Sequence, residues 1–408
     1  MQCRNPVAWA CLLGGLLGAP PLLGQTEPPG GTEVLPPVTV DLVRIDVVVT
    51  EKRGQPSTGL TRDDFVVLED GEPQKIVQFQ AYEGLASGPA PTPAVAGETP
   101  SETPAEEVPP LPPARRVVLL VDDLHMEFGN LSRVKKALSR FAEEDLWPDD
   151  RIALMTTSGR GDSPRAFTSD RAVLEDAISK LSLQDRRLGW SGVPYITQYQ
   201  AELIEAGDQD ALEAAIQEVL LQGLCRDRPC AEAISRTKSR GVFADGVQSA
   251  RLTLETVEGL VRGLAGLAGR KVVFLVSDGF LTGLASGSST GFDLRRIADA
   301  GTRAGVVVYS LDTRGAVASP PIAPASISRP IIASQIGLIE AMRSRSEQAE
   351  REALHSLAAD TGGFLVESSN DLRGGLRRML KDTETYYVLA YEPTNPIRDG
   401  KFRHIEVR

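Results

Sequence analysis

Along much of the chain, apolar residues arrive in short solid runs separated by longer stretches in which they recur every three or four positions. The runs "VVLLV", "RIALMTT", "KVVFLVS" and "GVVVYSL" are apolar without alternation, as strands buried on both faces must be. Between them fall helical stripes: Leu131, Val134, Leu138 and Phe141; Val173, Leu174, Ala177, Ile178 and Leu181; Val257, Leu260, Val261 and Leu264. Strands alternating with amphipathic helices predict an α/β fold with a doubly wound parallel sheet over residues 115–384. A helical insertion, about 193–240, carries its own stripe of Leu212, Ile216, Val219 and Leu220 and belongs on the rim of the sheet. Residues 36–83 change period: "VTVDLVRIDVVVT" and "DDFVVLEDGEPQKIVQFQAYE" alternate as half-buried strands, with a hairpin turn at Asp70-Gly71. The chain closes on "TYYVLAYEPTNPIRDGKFRHIEVR", residues 385–408, which reads as a β hairpin. Two strands alone are marginal in water, so this hairpin is expected to join the N-terminal strands, leaving the α/β domain inserted in, or flanked by, a small antiparallel β domain.

Composition adds two segments outside the fold. Residues 1–25 pair Arg4 with an apolar, Leu- and Gly-rich run ended by Pro20 and Pro21, the layout of a cleaved signal peptide, the alternative being an uncleaved membrane anchor, and so predict a secreted or periplasmic protein. Residues 84–114 are rich in Pro and Ala without periodicity, an extended linker. Of the cysteines beyond the signal, only Cys225 and Cys230 remain; in an oxidising compartment they can close a local disulfide, the alternatives being buried thiols or half of a metal site. Acidic residues outnumber basic ones by 55 to 44, a formal charge of −11, which argues against nucleic acid as a partner because phosphates would be repelled.

The chemistry that stands out is a set of aspartates at strand ends. Asp122 and Asp123 follow "VVLLV", Asp278 follows "VVFLVS", and Asp312 ends "VVVYSLD". Ligands of an open parallel sheet bind at those ends. Gathered carboxylates repel unless a cation or hydrogen-bond donors satisfy them, and hard oxygen ligands suit Mg²⁺, Mn²⁺ or Ca²⁺. Asp122, Asp123 and Asp278 are therefore the candidate metal ligands, while Asp312 reads as a turn or cap. Two phosphate-handling folds also place aspartates here and fit poorly. A phosphoacceptor receiver domain needs another Asp after a following strand, where "RIALMTTSG" ends in hydroxyls; a haloacid dehalogenase-like phosphotransferase needs Asp-x-Asp, where Asp122 is followed by Asp123 and Leu124.

"LLVDD", "FLVSDG" and "GFLVESSNDLRGGLRRML", in that order, resemble a von Willebrand factor type A domain. "VDLVRIDVVVTEKRGQPSTGLTRDDFVVLEDGEPQKIVQF", "VVLLVDDLH" and the C-terminal run resemble, more closely, the acidobacterial von Willebrand factor A-related family, over almost the whole chain past the signal. The resemblance implies a von Willebrand A-like sheet whose first strand ends in Asp-x-Ser-x-Ser. There the Asp, both Ser, a loop Thr and a later Asp hold a divalent cation in a metal-ion-dependent adhesion site. Asp122 matches the first Asp and Asp278 the last. The two Ser positions hold Leu124 and Met126, neither able to ligate a hard cation, and the loop Thr has only the candidates Thr156, Thr157 and Thr197. The implied site is degenerate, with Asp123 or His125 as replacements for a lost ligand.

Catalytic signatures are sparse. The three His residues, 125, 355 and 404, are scattered, a phosphate-binding Gly loop with Lys is absent, and Gly-rich pieces such as "GLASGSSTG" read as loops. "SGRGDSPRAF" contains Arg160, Gly161 and Asp162, identical to an integrin attachment sequence, though its composition is that of any surface turn. The expectation is a non-enzymatic adhesion or assembly module that binds an unknown protein partner at the rim, without a small-molecule cofactor. Its rivals are a metal-assisted hydrolase using Asp122, Asp123 and Asp278, and an architectural envelope protein.

Overall fold

The computed structural model describes residues 42–51, 56–82, 114–159, 166–183, 194–283, 289–315, 333–367, 369–395, 397 and 403–408. The signal segment, nearly all of the linker, and Arg160, Gly161 and Asp162 lie outside the described residues.

The four apolar runs are parallel strands: β5 (Arg116–Val121), β6 (Arg151–Thr156), β7 (Lys271–Ser277) and β8 (Val306–Asp312), joined by the short β9 (Leu365–Val366) in the order β6-β5-β7-β8-β9. Their lack of alternation has its reason in two helical layers. Val117, Leu119 and Val121 face one core with α1 (Phe128–Glu144), α2 (Arg171–Ser179) and α8 (Leu372–Asp382). Val118 and Leu120 face a second core with α5 (Arg228–Leu264), α6 (Ser289–Ala304) and α7 (Ala333–Ala359). The sheet is thus doubly wound. The strand order reverses at β5, whose neighbours are β6 on one side and β7 on the other, which makes the carboxyl ends of β5 and β7 the topological switch point.

The insertion forms a third core of its own. α3 (Gln198–Glu205), α4 (Gln209–Leu221) and the first half of α5 pack with Ile339 and Met342 of α7 around Leu212, Ile216 and Val219. Asp side chains accept from the backbone at the starts of α2, α4, α5 and α8, and Thr197 does so for α3. The insertion does not stop near residue 240: α5 runs on as one helix of 37 residues, so the same element serves the insertion core and the sheet. A disulfide joins Cys225 to Cys230 across the turn from α4 to α5.

The remaining strands make two small antiparallel sheets, ordered β1-β10-β4 and β11-β2-β3, from β1 (Val43–Val47), β2 (Val67–Glu69), β3 (Glu72–Gln74), β4 (Ile76–Tyr82), β10 (Tyr386–Tyr391) and β11 (Ile405–Val407). The expected hairpin between the last two strands does not form: β10 lies between β1 and β4, whereas β11 pairs with β2. An unpaired strand satisfies its backbone best with a neighbour on each side, and β10, buried along its length, has both. Asp70 and Gly71 both take positive φ, 51° and 87°, as a tight β2–β3 hairpin requires. Phe65, Val67, Ile76, Tyr387, Leu389 and Tyr391 fill the core between these strands.

This β assembly sits at the amino ends of the parallel strands. Arg270, just before β7, lies over the Tyr386 ring at 4.8 Å. Arg115, just before β5, is buried against Asp150 (2.9 and 2.7 Å) and donates to Thr383 Oγ1 (2.7 Å). The aspartate rim is at the opposite end.

Candidate functional site

Asp122 stands where β5 ends and is fully buried. Thr157 Oγ1, one residue past β6, donates to Oδ1 at 2.7 Å; Ser277 Oγ, the last residue of β7, donates to Oδ2 at 2.6 Å. His125 Nδ1 lies 3.0 Å from Oδ1 and 2.9 Å from Oδ2. Burial alone would push this carboxyl up, but the charge of His125 and the hydrogen bonds from His125, Ser277 and Thr157 outweigh it and hold the group at about 2. Asp123 turns the other way along the rim: Ser158 donates from its amide (2.9 Å) and hydroxyl (2.6 Å), and Thr157 Oγ1 lies 3.2 Å away. Burial raises the Asp123 carboxyl, the Asp122 charge adds to the rise, and the Ser158 bonds offset part of it.

Asp278 belongs to a separate cluster. It accepts from the Glu127 amide (2.7 Å), from Asn130 Nδ2 (2.9 Å) and from the Thr313 hydroxyl, and so ties the start of α1 to the end of β8. Burial raises its carboxyl despite these donors. Gly279 follows with φ 93°, and a Cβ there would stand 2.8 Å from the Glu350 carbonyl of α7. Asp312 pairs with Arg314 (3.0 Å) and Arg351 (2.8 Å), more than the turn or cap its sequence context predicts.

Of the three candidate metal ligands, Asp122 and Asp123 share Thr157, while Asp278 has its own partners. Among the described residues no three His, Cys, Asp or Glu side chains converge so as to hold a metal ion. Leu124 and Met126 are buried and offer no ligating oxygen, and His125 sits across both Asp122 oxygens, so the set does not fit a divalent cation. Of the loop threonines, Thr157 meets Asp122, whereas Thr197 caps α3. The partners that sequence reasoning missed are Ser277, Ser158 and Thr313. The signal was present in the hydroxyls ending "RIALMTTS" and "VVFLVS", which close the aspartates instead of merely following a strand.

Among the described residues around this buried layer, two aromatic side chains are exposed. Phe128, the first residue of α1, is 84% exposed; Tyr195 is 37% exposed and its hydroxyl donates to Glu127 Oε1 at 2.9 Å. The Tyr195 amide donates to buried Glu218, which also accepts from Arg343 at 3.1 Å, so the insertion is linked to the start of α1.

No family model matches the chain, and no curated protein matches it. Among solved structures, an aerotolerance-related membrane protein from Bacteroides fragilis, with multiple mutations to serines, aligns over 65% of this chain and 98% of that one at 11% identity, with a TM-score of 0.31. No helix among the described residues is long and apolar enough to cross a membrane.

Proposed function

We propose that this chain is an exported, von Willebrand A-like protein-interaction module that meets a protein partner at its carboxyl rim, with the antiparallel strands at the other end fixing its orientation. One observation carries the reading: Phe128 is 84% exposed immediately after a turn whose carboxylates face inward onto protein donors. Aromatic side chains, Phe among them, are enriched at the cores of protein interfaces. The hydrolase alternative draws less support, since a general base must reach a substrate and Asp122, Asp123 and Asp278 are 0%, 2% and 4% exposed. Export is supported by the Cys225–Cys230 disulfide, a bond that persists in oxidising compartments.

The test is site-specific photo-crosslinking in cells of the organism that makes the protein, with benzoylphenylalanine at position 128 or, as control, at position 66 of the β assembly, where Val66 is also exposed. A discrete protein adduct from position 128 and none from 66 is expected. No adduct from 128, or the same adducts from both, would sink the reading.

A further inference from the structure

The oxygens around Asp122 are those a hard cation favours. Two carboxylates, Asp122 and Asp123, and three hydroxyls, Thr157, Ser158 and Ser277, are connected by contacts of 2.6–3.2 Å. Mg²⁺, Mn²⁺ and Ca²⁺ are bound by such groups. Within this cluster, the side chain that stands against a cation on Asp122 is His125. His125 Nδ1 faces both Asp122 oxygens nearly equally, at 3.0 and 2.9 Å, which is where an ion chelated by that carboxylate would have to lie.

The other ring nitrogen shows that this contact holds the imidazole in place. His125 is 2% exposed, with its ring 5.4 Å from that of Phe280, and its Nε2 is buried without a hydrogen-bond partner. A buried polar atom left unpaired costs about 1–3 kcal/mol. The Nδ1 contact of His125 to Asp122 is thus the polar contact that orients the ring.

We infer that His125 occupies the cation position on Asp122, so that the chain itself keeps an oxygen-rich rim free of divalent metal. The consequence for recognition rests on the proposed function: a partner binds without a bridging ion, and chelators leave the interaction intact. The metal measurement needs no partner, so it can fail or succeed independently of the crosslinking test.

The experiment is calorimetric titration of the chelator-stripped full chain with Mn²⁺, Mg²⁺ and Ca²⁺, comparing wild type, His125→Ala and the double variant His125→Ala with Asp122→Asn. Wild type should give no saturable heat at millimolar ion. His125→Ala should bind Mn²⁺ at least tenfold more tightly, on the scale of a rearranged ligand shell, and the double variant should lose that gain. Saturable binding by wild type, or no gain in a folded His125→Ala protein, would overturn the inference. Should near-ultraviolet dichroism show that His125→Ala does not fold, Mn²⁺ is added to isotope-labelled wild type instead. Unbroadened His125 imidazole resonances support the assignment, and broadening specific to His125 overturns it.

Discussion

Asp122 concentrates the polar energetics of the rim in one side chain. It accepts from His125, Thr157 and Ser277, all buried, and replacing it with Asn turns an amide NH₂ toward donors that lose their acceptor. Asp122→Asn should cost about 2–4 kcal/mol in urea unfolding at neutral pH. The carboxyl lies below its ordinary 3.8, at about 2, so its contribution is present above the ordinary value and is lost as pH falls through about 2. The gap between wild type and Asp122→Asn should therefore narrow across that window; a gap that stays constant would mean the carboxylate form is not what the donors select. At this scale the sequence was half legible. Aspartates at strand ends could be read one strand at a time, but their partners lie on neighbouring strands, and Thr157 meets Asp122 only because β5 and β6 run parallel with Val121 opposite Thr156.

Elements were legible where one face is buried and obscure where an element changes neighbours. Leu131, Val134, Leu138 and Phe141 repeat on one face of α1 and are buried together. α5 shows no such stripe through its middle: its first half packs in the insertion, its last third on the sheet, and residues 241–248 are half-buried or exposed. Within it, a Cβ at Gly246 would run into the Gln198 side chain of α3, so this Gly permits a close approach. Two predictions belong here. Replacing Cys225 and Cys230 with Ser opens a loop of about six residues, and thermal or urea unfolding should register a loss of about 2 kcal/mol. Gly279→Ala, at a positive φ against the Glu350 carbonyl, should cost about 2 kcal/mol or more by the same measurements. A neutral result would show that the β7–α7 contact yields easily.

The molecule as a whole has its rim and its β assembly at opposite ends of one parallel sheet, and the assembly is built from both ends of the described chain. A chain beginning at residue 114 would leave β10 without β1 or β4 and bare Tyr387, Leu389 and Tyr391, which are at most 1% exposed in the whole protein. Exposed strand edges with apolar faces associate, so this shortened chain should elute as aggregates on gel filtration, whereas a monodisperse product would show that β10 needs no partner. The placement of β10 also sets an order in time. Val47 pairs with Tyr387, about 340 residues later, and closing a disordered loop of that length costs about 5 kcal/mol in chain entropy. Once the parallel sheet and its helices have formed, they bring the two ends together and most of that cost disappears. The strands made first are thus expected to be placed last, with edges of β1, β4 and β2 open until β10 and β11 arrive.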